Sequence, residues 1–135
     1  MNVFDENVID SQRRQLQSWR IPIHQIGHDV GRQGMKDQEI IPFLHQQKNP
    51  TFFTRDDDFY DRKLCHAEYC LVHLGVKKEE VAVFTRRFIR HPAFKTKAKR
   101  MGRVIRVSHV GLSVWNLYAE KEERLDWTSS KPRLA

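Results

Sequence analysis

The chain has 135 residues, is 39% apolar and 10% aromatic, and carries a formal net charge of +7. That length supplies one compact core and falls short of two ordinary domains, so one domain is expected over residues 1–118, followed by a charged, partly disordered tail over 119–135. No run approaches the ~18 apolar residues of a membrane span, and no basic start precedes an apolar stretch, so neither a spanning helix nor a secretory leader is expected and the cytoplasm is the expected compartment.

In chain order, Asn2 to Asp5 reads as a first strand, and Val8, Ile9, Leu16 and Trp19 then fall near one face of a helix whose exterior carries Arg13, Arg14, Gln15 and Gln17. Pro22 ends that helix, and Ile21, Ile23 and Ile26 predict a second strand. Gly27, Gly31 and Gly34 punctuate a loop up to Lys36, after which Asp37-Gln38-Glu39 opens a second helix with acids at the positive end of its dipole. Pro42 is unusual there, and is read as tolerable near the first turn. Lys48-Asn49-Pro50 is a turn, Thr51 to Thr54 a third strand, and Arg55 to Arg62 an acidic loop. Leu64 to Leu74 is ambiguous, compatible with a short helix at its start and a strand at Tyr69 to Leu74. Glu79 to Ile89 predicts a helix with Val81, Phe84 and Phe88 inward, Arg103 to Val107 an exposed or edge strand, and Gly111 to Tyr118 a further strand. Strands alternating with helices at this spacing imply a mostly parallel sheet covered on both faces.

Charge is segregated along the chain. Residues 1 to 61 hold ten acids and seven Lys/Arg, whereas residues 77 to 106 hold eleven Lys/Arg against Glu79 and Glu80. A basic stretch interleaved with Phe84, Phe88 and Phe94, beside an acidic region, suits a polyanionic partner. Cys65 and Cys70 have no second pair and read as reduced, buried thiols. The seven histidines lack the spacing of a helical zinc pair and read as surface or hydrogen-bonded groups.

Three successive carboxylates, Asp56, Asp57 and Asp58, follow the apolar run Thr51-Phe52-Phe53, and Asp5-Glu6-Asn7 follows Val3-Phe4. Like charges so placed raise one another's pKa unless a cation relieves them. In a parallel sheet both groups belong at the carboxyl ends of strands, where ligands collect. Because alternate residues leaving a strand point to opposite sides, Asp56 and Asp58 are expected in one pocket and Asp57 outside it.

Asp5-Glu6-Asn7, the glycine loop leading to Asp37-Gln38-Glu39-Ile40, and Thr54-Arg55-Asp56-Asp57-Asp58-Phe59 together resemble the short PIN-like domains related to VapC-type toxin ribonucleases. The resemblance covers residues 1 to 75 by motif. It implies a PIN-like three-layer α/β/α sandwich with a mostly parallel central sheet of four to five strands, a Mg²⁺ or Mn²⁺ site built from carboxylates, and hydrolysis of RNA phosphodiester bonds. By the same resemblance Asp5, Asp37, Asp56 and Asp58 form the acidic pocket, with the Thr54 hydroxyl beside it. Asp5 and Asp56 are the expected direct ligands, and Asp37 and Asp58 are expected to hold bound waters or a second ion. Arg55 and the Lys/Arg of residues 86 to 106 would follow the RNA backbone. Partners implied beyond the RNA substrate are a small antitoxin protein and a second copy in a homodimer. The competing expectation is a non-catalytic RNA- or DNA-binding module on the same fold. A phospho-accepting receiver-like domain fits less well, since His73-Leu74-Gly75 offers neither the hydroxyl residue nor the Lys that such domains carry at later strand ends.

Overall fold

The structure, a computed structural model, describes residues 1–128. Seven strands form one sheet: β1 (Asn2–Phe4), β2 (His24–Gln25), β3 (Thr51–Thr54), β4 (Cys70–Leu74), β5 (Arg103–Ser108), β6 (Gly111–Asn116) and β7 (Glu123–Leu125). Their spatial order is β2-β1-β3-β4-β5-β6-β7. The first five are parallel, and β6 and β7 add an antiparallel extension. The sheet is therefore larger than the four to five strands expected, and β7 lies in the stretch read as tail. Residues 129–135 of that stretch fall outside the described residues.

Alternation along the central strands splits the core between the two faces. Phe4, Phe53, Val72 and Ile105 pack with Leu16 of α1 (Asp10–Ser18) and with Val81, Phe84 and Phe88 of α3 (Val81–Arg90). Val3, Phe52, Leu71 and Val104 pack on the other face with Ile40 and Leu44 of α2 (Asp37–His45). A short helix, α4 (Lys97–Arg100), precedes β5. Among the described residues no helix is long and apolar enough to cross a membrane.

Several expectations need correction. The second strand shrinks to His24–Gln25, because Arg20 takes a left-handed φ of 60° and Pro22 follows it, which delays the extended segment. Arg13 faces inward, not outward: it is 6% exposed and donates to Gln25 Oε1 at 2.5 Å. Pro42 sits at the sixth position of α2, past the first turn. It removes the donor for the Gln38 carbonyl, on a side of the helix where both residues are exposed. β5 is interior to the sheet, between β4 and β6, with Val104, Ile105 and Val107 fully buried. Its basic residues misled because they lie along aromatic surfaces, Arg103 over Phe94 and Arg106 over Tyr60.

One topological feature places the site. The chain leaves β1 toward β2 on one side and returns to β3 on the other, with α1 on one face and α2 on the opposite face. Such a reversal opens a crevice at the carboxyl ends of β1 and β3.

Candidate functional site

Asp5 follows β1 directly, and Thr54, Arg55 and Asp56 close and follow β3, so both acidic segments meet at this crevice. The Asp5 backbone N–H still donates to the Phe53 carbonyl at 2.9 Å, which holds the two strand ends in register beyond the last paired residue. Thr54, fully buried, links the two segments through its side chain. Its hydroxyl donates to Asp5 Oδ2 at 2.7 Å and accepts the Asp56 N–H at 3.0 Å. A Val in its place would fill similar volume and lose both bonds.

Residues Asp57–Phe59 form a 3₁₀ turn. Asp56 caps it, Oδ1 accepting the Asp58 N–H at 3.0 Å, and Phe59 anchors it in the core against Phe52. The turn points the Asp56 and Asp58 carboxylates the same way and leaves Asp57 exposed. Asp37, the first residue of α2, arrives from the opposite layer. Asp37, Asp56 and Asp58 present carboxylate oxygens that all lie within 4.8 Å of one another. Asp5 stands outside that trio, bonded to Thr54, yet close enough that its charge acts on Asp37. Partial burial, and then the charges of Asp56, Asp5 and Asp58, push the Asp37 carboxyl above its ordinary range. The four aspartates and Thr54 are thus assembled in one place from three separate stretches of chain. A cleft of about 320 Å³ adjoins them, lined by Asp5, Asn7, Val8, Arg55 and Asp56. Arg55 brings a cation to this cleft and is steadied by donating from Nε to the Val76 carbonyl at 2.9 Å.

Two positioning residues escape the sequence reading. Glu6 lies in the turn between β1 and α1, which begins four residues later at Asp10. Its carboxylate accepts the Gly34 N–H at 2.8 Å and so fastens the glycine loop that delivers Asp37. The loop needs glycine there, since Gly34 has a φ of +75°. Gln25 is 2% exposed, and its Nε2 donates to the carbonyls of Asp5, Glu6 and Val8 at 3.1, 3.3 and 2.6 Å. It clamps the turn that carries Asp5. A glutamine in a predicted strand is the only sequence signal for this role, and it does not say which carbonyls will be met.

Other polar and ionisable groups have structural duties. Asp29 bonds to the Gln25 N–H at 2.8 Å and to His24 at 2.7 Å, in its own loop. Glu39 accepts the Lys36 N–H at 3.1 Å and pairs with Arg32, as a first-turn acid of α2 does. Asn7 lines the cleft, and its N–H lies 3.4 Å from Asp5 Oδ1. Within the basic segment, Arg100 is 7% exposed and donates to Thr51 Oγ1 at 3.1 Å and to the Phe94 carbonyl at 2.9 Å, so it is an internal tie and not a surface cation. Cys65 and Cys70 are both free thiols, and burial pushes the Cys70 pKa up to about 12, which leaves it unreactive. No family model, curated protein or solved structure matches the chain.

Proposed function

We propose that the chain is a metal-dependent ribonuclease of the PIN-like kind, hydrolysing RNA phosphodiester bonds at the crevice between β1 and β3. The observation that carries this reading is the convergence of Asp5, Asp37, Asp56 and Asp58 from three stretches of chain, fixed by Thr54 at a switch point of a parallel sheet. Turn capping alone accounts for Asp56, but it leaves Asp37 unexplained, because α2 brings a fourth carboxylate into a place where it is electrostatically disfavoured.

The donor set fits the ion. All four groups offer hard carboxylate oxygens, which suit Mg²⁺ or Mn²⁺ and not the softer metals. Oxygens around such an ion stand about 3 to 4 Å apart, so the trio closes on one by small side-chain rotations. Asp37, Asp56 and Asp58 would hold the ion, with Asp5 beside it as an acceptor for a water. A divalent ion there supplies positive charge that lowers the pKa of water and offsets charge on the scissile phosphate. The residues of the chain do the rest. Thr54 keeps Asp5 aimed and unable to swing away. Asp5, with one oxygen bonded to Thr54, has a second oxygen with which to orient an attacking water. Arg55 meets a phosphate in the cleft. A toxin role under a small antitoxin and a homodimer belong to the same proposal and rest on the sequence resemblance alone.

The purified protein is expected to cut RNA in Mg²⁺ or Mn²⁺, to stop in excess chelator, and to lose cleavage in Asp56→Asn and in Asp5→Asn. Undiminished cleavage by both variants defeats the assignment. Salt-sensitive RNA binding without metal-dependent cleavage would instead favour the non-catalytic binding module. The strand order β2-β1-β3-β4-β5 is shared with doubly wound receiver domains. Here, however, β5 ends in Val107-Ser108 and is followed by His109, with no Lys to complete a phospho-acceptor site.

A further inference from the structure

A second group of ligating side chains lies at the other end of α2. His45 is the last residue of that helix, and His66 and Glu68 lie in the loop just before β4. This is the amino-end rim of the parallel strands, whereas the aspartates occupy the carboxyl-end rim. The two groups are separated by the length of α2, nine residues, or roughly 12 Å at 1.5 Å per residue.

One donor atom from each of His45, His66 and Glu68 lies within 4.8 Å of the others, and all three residues are exposed. His45 Nδ1 is 2.9 Å from Glu68 Oε2, and His66 Nδ1 is 4.0 Å from the same oxygen. The His66 Nδ1 also accepts the Glu68 N–H at 3.1 Å, so this nitrogen is the unprotonated one of the ring, and an ion bound there would take over the lone pair that now holds that N–H. The rings are held in place. His66 stacks on Tyr69 at 5.5 Å, His45 meets Tyr69 edge-on at 5.3 Å, and Tyr69 is 3% exposed, with its hydroxyl bonded to the Leu64 carbonyl. A simple His45–Glu68 pair explains the shortest contact. It does not account for the second imidazole, set edge-on to the first with ring centroids 4.4 Å apart and with its Nδ1 on the side of the same Glu68 oxygen.

We propose that His45, His66 and Glu68 form a separate binding site for a borderline transition-metal ion, with Zn²⁺ the fitting one. Two imidazole nitrogens and one carboxylate oxygen are a zinc donor set, while the all-oxygen aspartate site favours Mg²⁺ or Mn²⁺. Three protein ligands at an exposed position leave the fourth place to water. Such an ion clips the C-terminus of α2 to the loop entering β4, which joins the layer that carries Asp37 to the sheet. The sequence spacing could not reveal it, since the ligands are 21 and 23 residues apart and are brought together only by the crossover from α2 to β4.

The test is calorimetric titration of the full chain with ZnCl₂ in an Asp37→Asn/Asp56→Asn background, which silences the aspartate site. Co²⁺ is used in parallel, because a tetrahedral site with imidazole ligands gives visible d–d bands far more intense than those of an octahedral, all-oxygen site. The expected result is one Zn²⁺ bound per chain, a rise in melting temperature on its addition, and loss of affinity in His45→Ala and in His66→Ala. Each loss should reach at least about 10- to 100-fold, the scale that removal of an outer-shell partner alone can cause. Both variants alter exposed side chains, and an unchanged circular dichroism spectrum shows that they fold. No Zn²⁺ binding by the background protein, or equal affinity in both histidine variants, overturns the proposal.

Discussion

Asp37 bears the electrostatic strain of the aspartate cluster. Its folded pKa is raised by partial burial and by Asp56, Asp5 and Asp58, so the native state holds its proton more tightly than the unfolded chain does. The stabilising effect of that proton is complete below the ordinary carboxylate pKa of about 3.9 and is lost as pH rises through the folded value. At neutral pH the ionised carboxylate therefore works against the fold. Asp37→Asn should raise the melting temperature at pH 7 by about 1–3 °C without divalent ions, a modest gain because the group is exposed. Near pH 3 the difference should vanish. Saturating Mn²⁺ should reverse the order, since the parent keeps a ligand that the variant lacks. Thermal melts at both pH values, with and without Mn²⁺, check all three points. At this scale the sequence was informative about which residues gather and less so about why. The grouping of Asp56 with Asp58, and the exclusion of Asp57, were legible from strand alternation. The structure produces the same grouping through a capped 3₁₀ turn. Asp5 was read as a direct ligand beside Asp56, yet the tightest trio contains Asp37 and Asp58 instead. That ranking depends on where α2 enters, which no local pattern encodes.

Among the elements, the two-residue strand β2 contributes most through one side chain. The carbonyl oxygen of Gln25 accepts Arg13 and its amide nitrogen reaches three backbone carbonyls of the turn after β1, all at the carboxyl rim. Gln12 ties α1 to α3 within one layer, its Oε1 accepting the Ala82 N–H at 2.9 Å and so satisfying a donor in the first turn of α3. Gln25→Ala leaves buried carbonyls and the Arg13 guanidinium short of partners. It should cost about 1–3 kcal/mol in urea unfolding. It should also weaken Mn²⁺ binding, because Asp5 rides on the released turn. A variant with parent stability and parent Mn²⁺ affinity would show the clamp to be incidental. Element type was most legible where apolar residues repeat, as in β3 and α3. It failed where tertiary contacts decide. α4 has four residues and no apolar stripe. β7 pairs with β6 although only Leu125 of its three residues is buried, so its sequence, Glu123-Arg124-Leu125, resembles a tail.

On the scale of the whole molecule, the basic segment that looked like one RNA-binding surface is divided between two rims. α3 starts near the carboxyl end of β4 and runs back toward the amino end of β5. Lys77 and Lys78 therefore share a rim with Arg55 and the aspartates, while Lys95, Lys97 and Lys99 lie at the opposite rim. Arg100, bonded to Thr51 at the start of β3, confirms that α4 belongs to that far side. The rims are separated by the five residues of β4, roughly 16 Å at about 3.3 Å per residue. At physiological salt the Debye length is about 8 Å, so charges at the far rim are screened from a phosphate held at the aspartates. Several nearer cations are also occupied, Arg86 over Trp19 and Arg87 over Trp127. If RNA is cut between β1 and β3, short single strands should be gripped by the near rim alone. In an Asp56→Asn background that binds without cutting, Arg55→Gln/Lys77→Gln should lower the log–log salt slope of binding by roughly 1–1.5, at about 0.7 per lost phosphate contact on a single strand. Lys95→Gln/Lys97→Gln/Lys99→Gln should leave that slope unchanged for a short oligonucleotide and lower it only for RNA long enough to wrap both rims. Fluorescence anisotropy across a salt series, with a short and a long RNA, separates these outcomes. Equal loss of slope from the near-rim pair and the far-rim triad on the short RNA would place the phosphate track across the sheet and away from the aspartates.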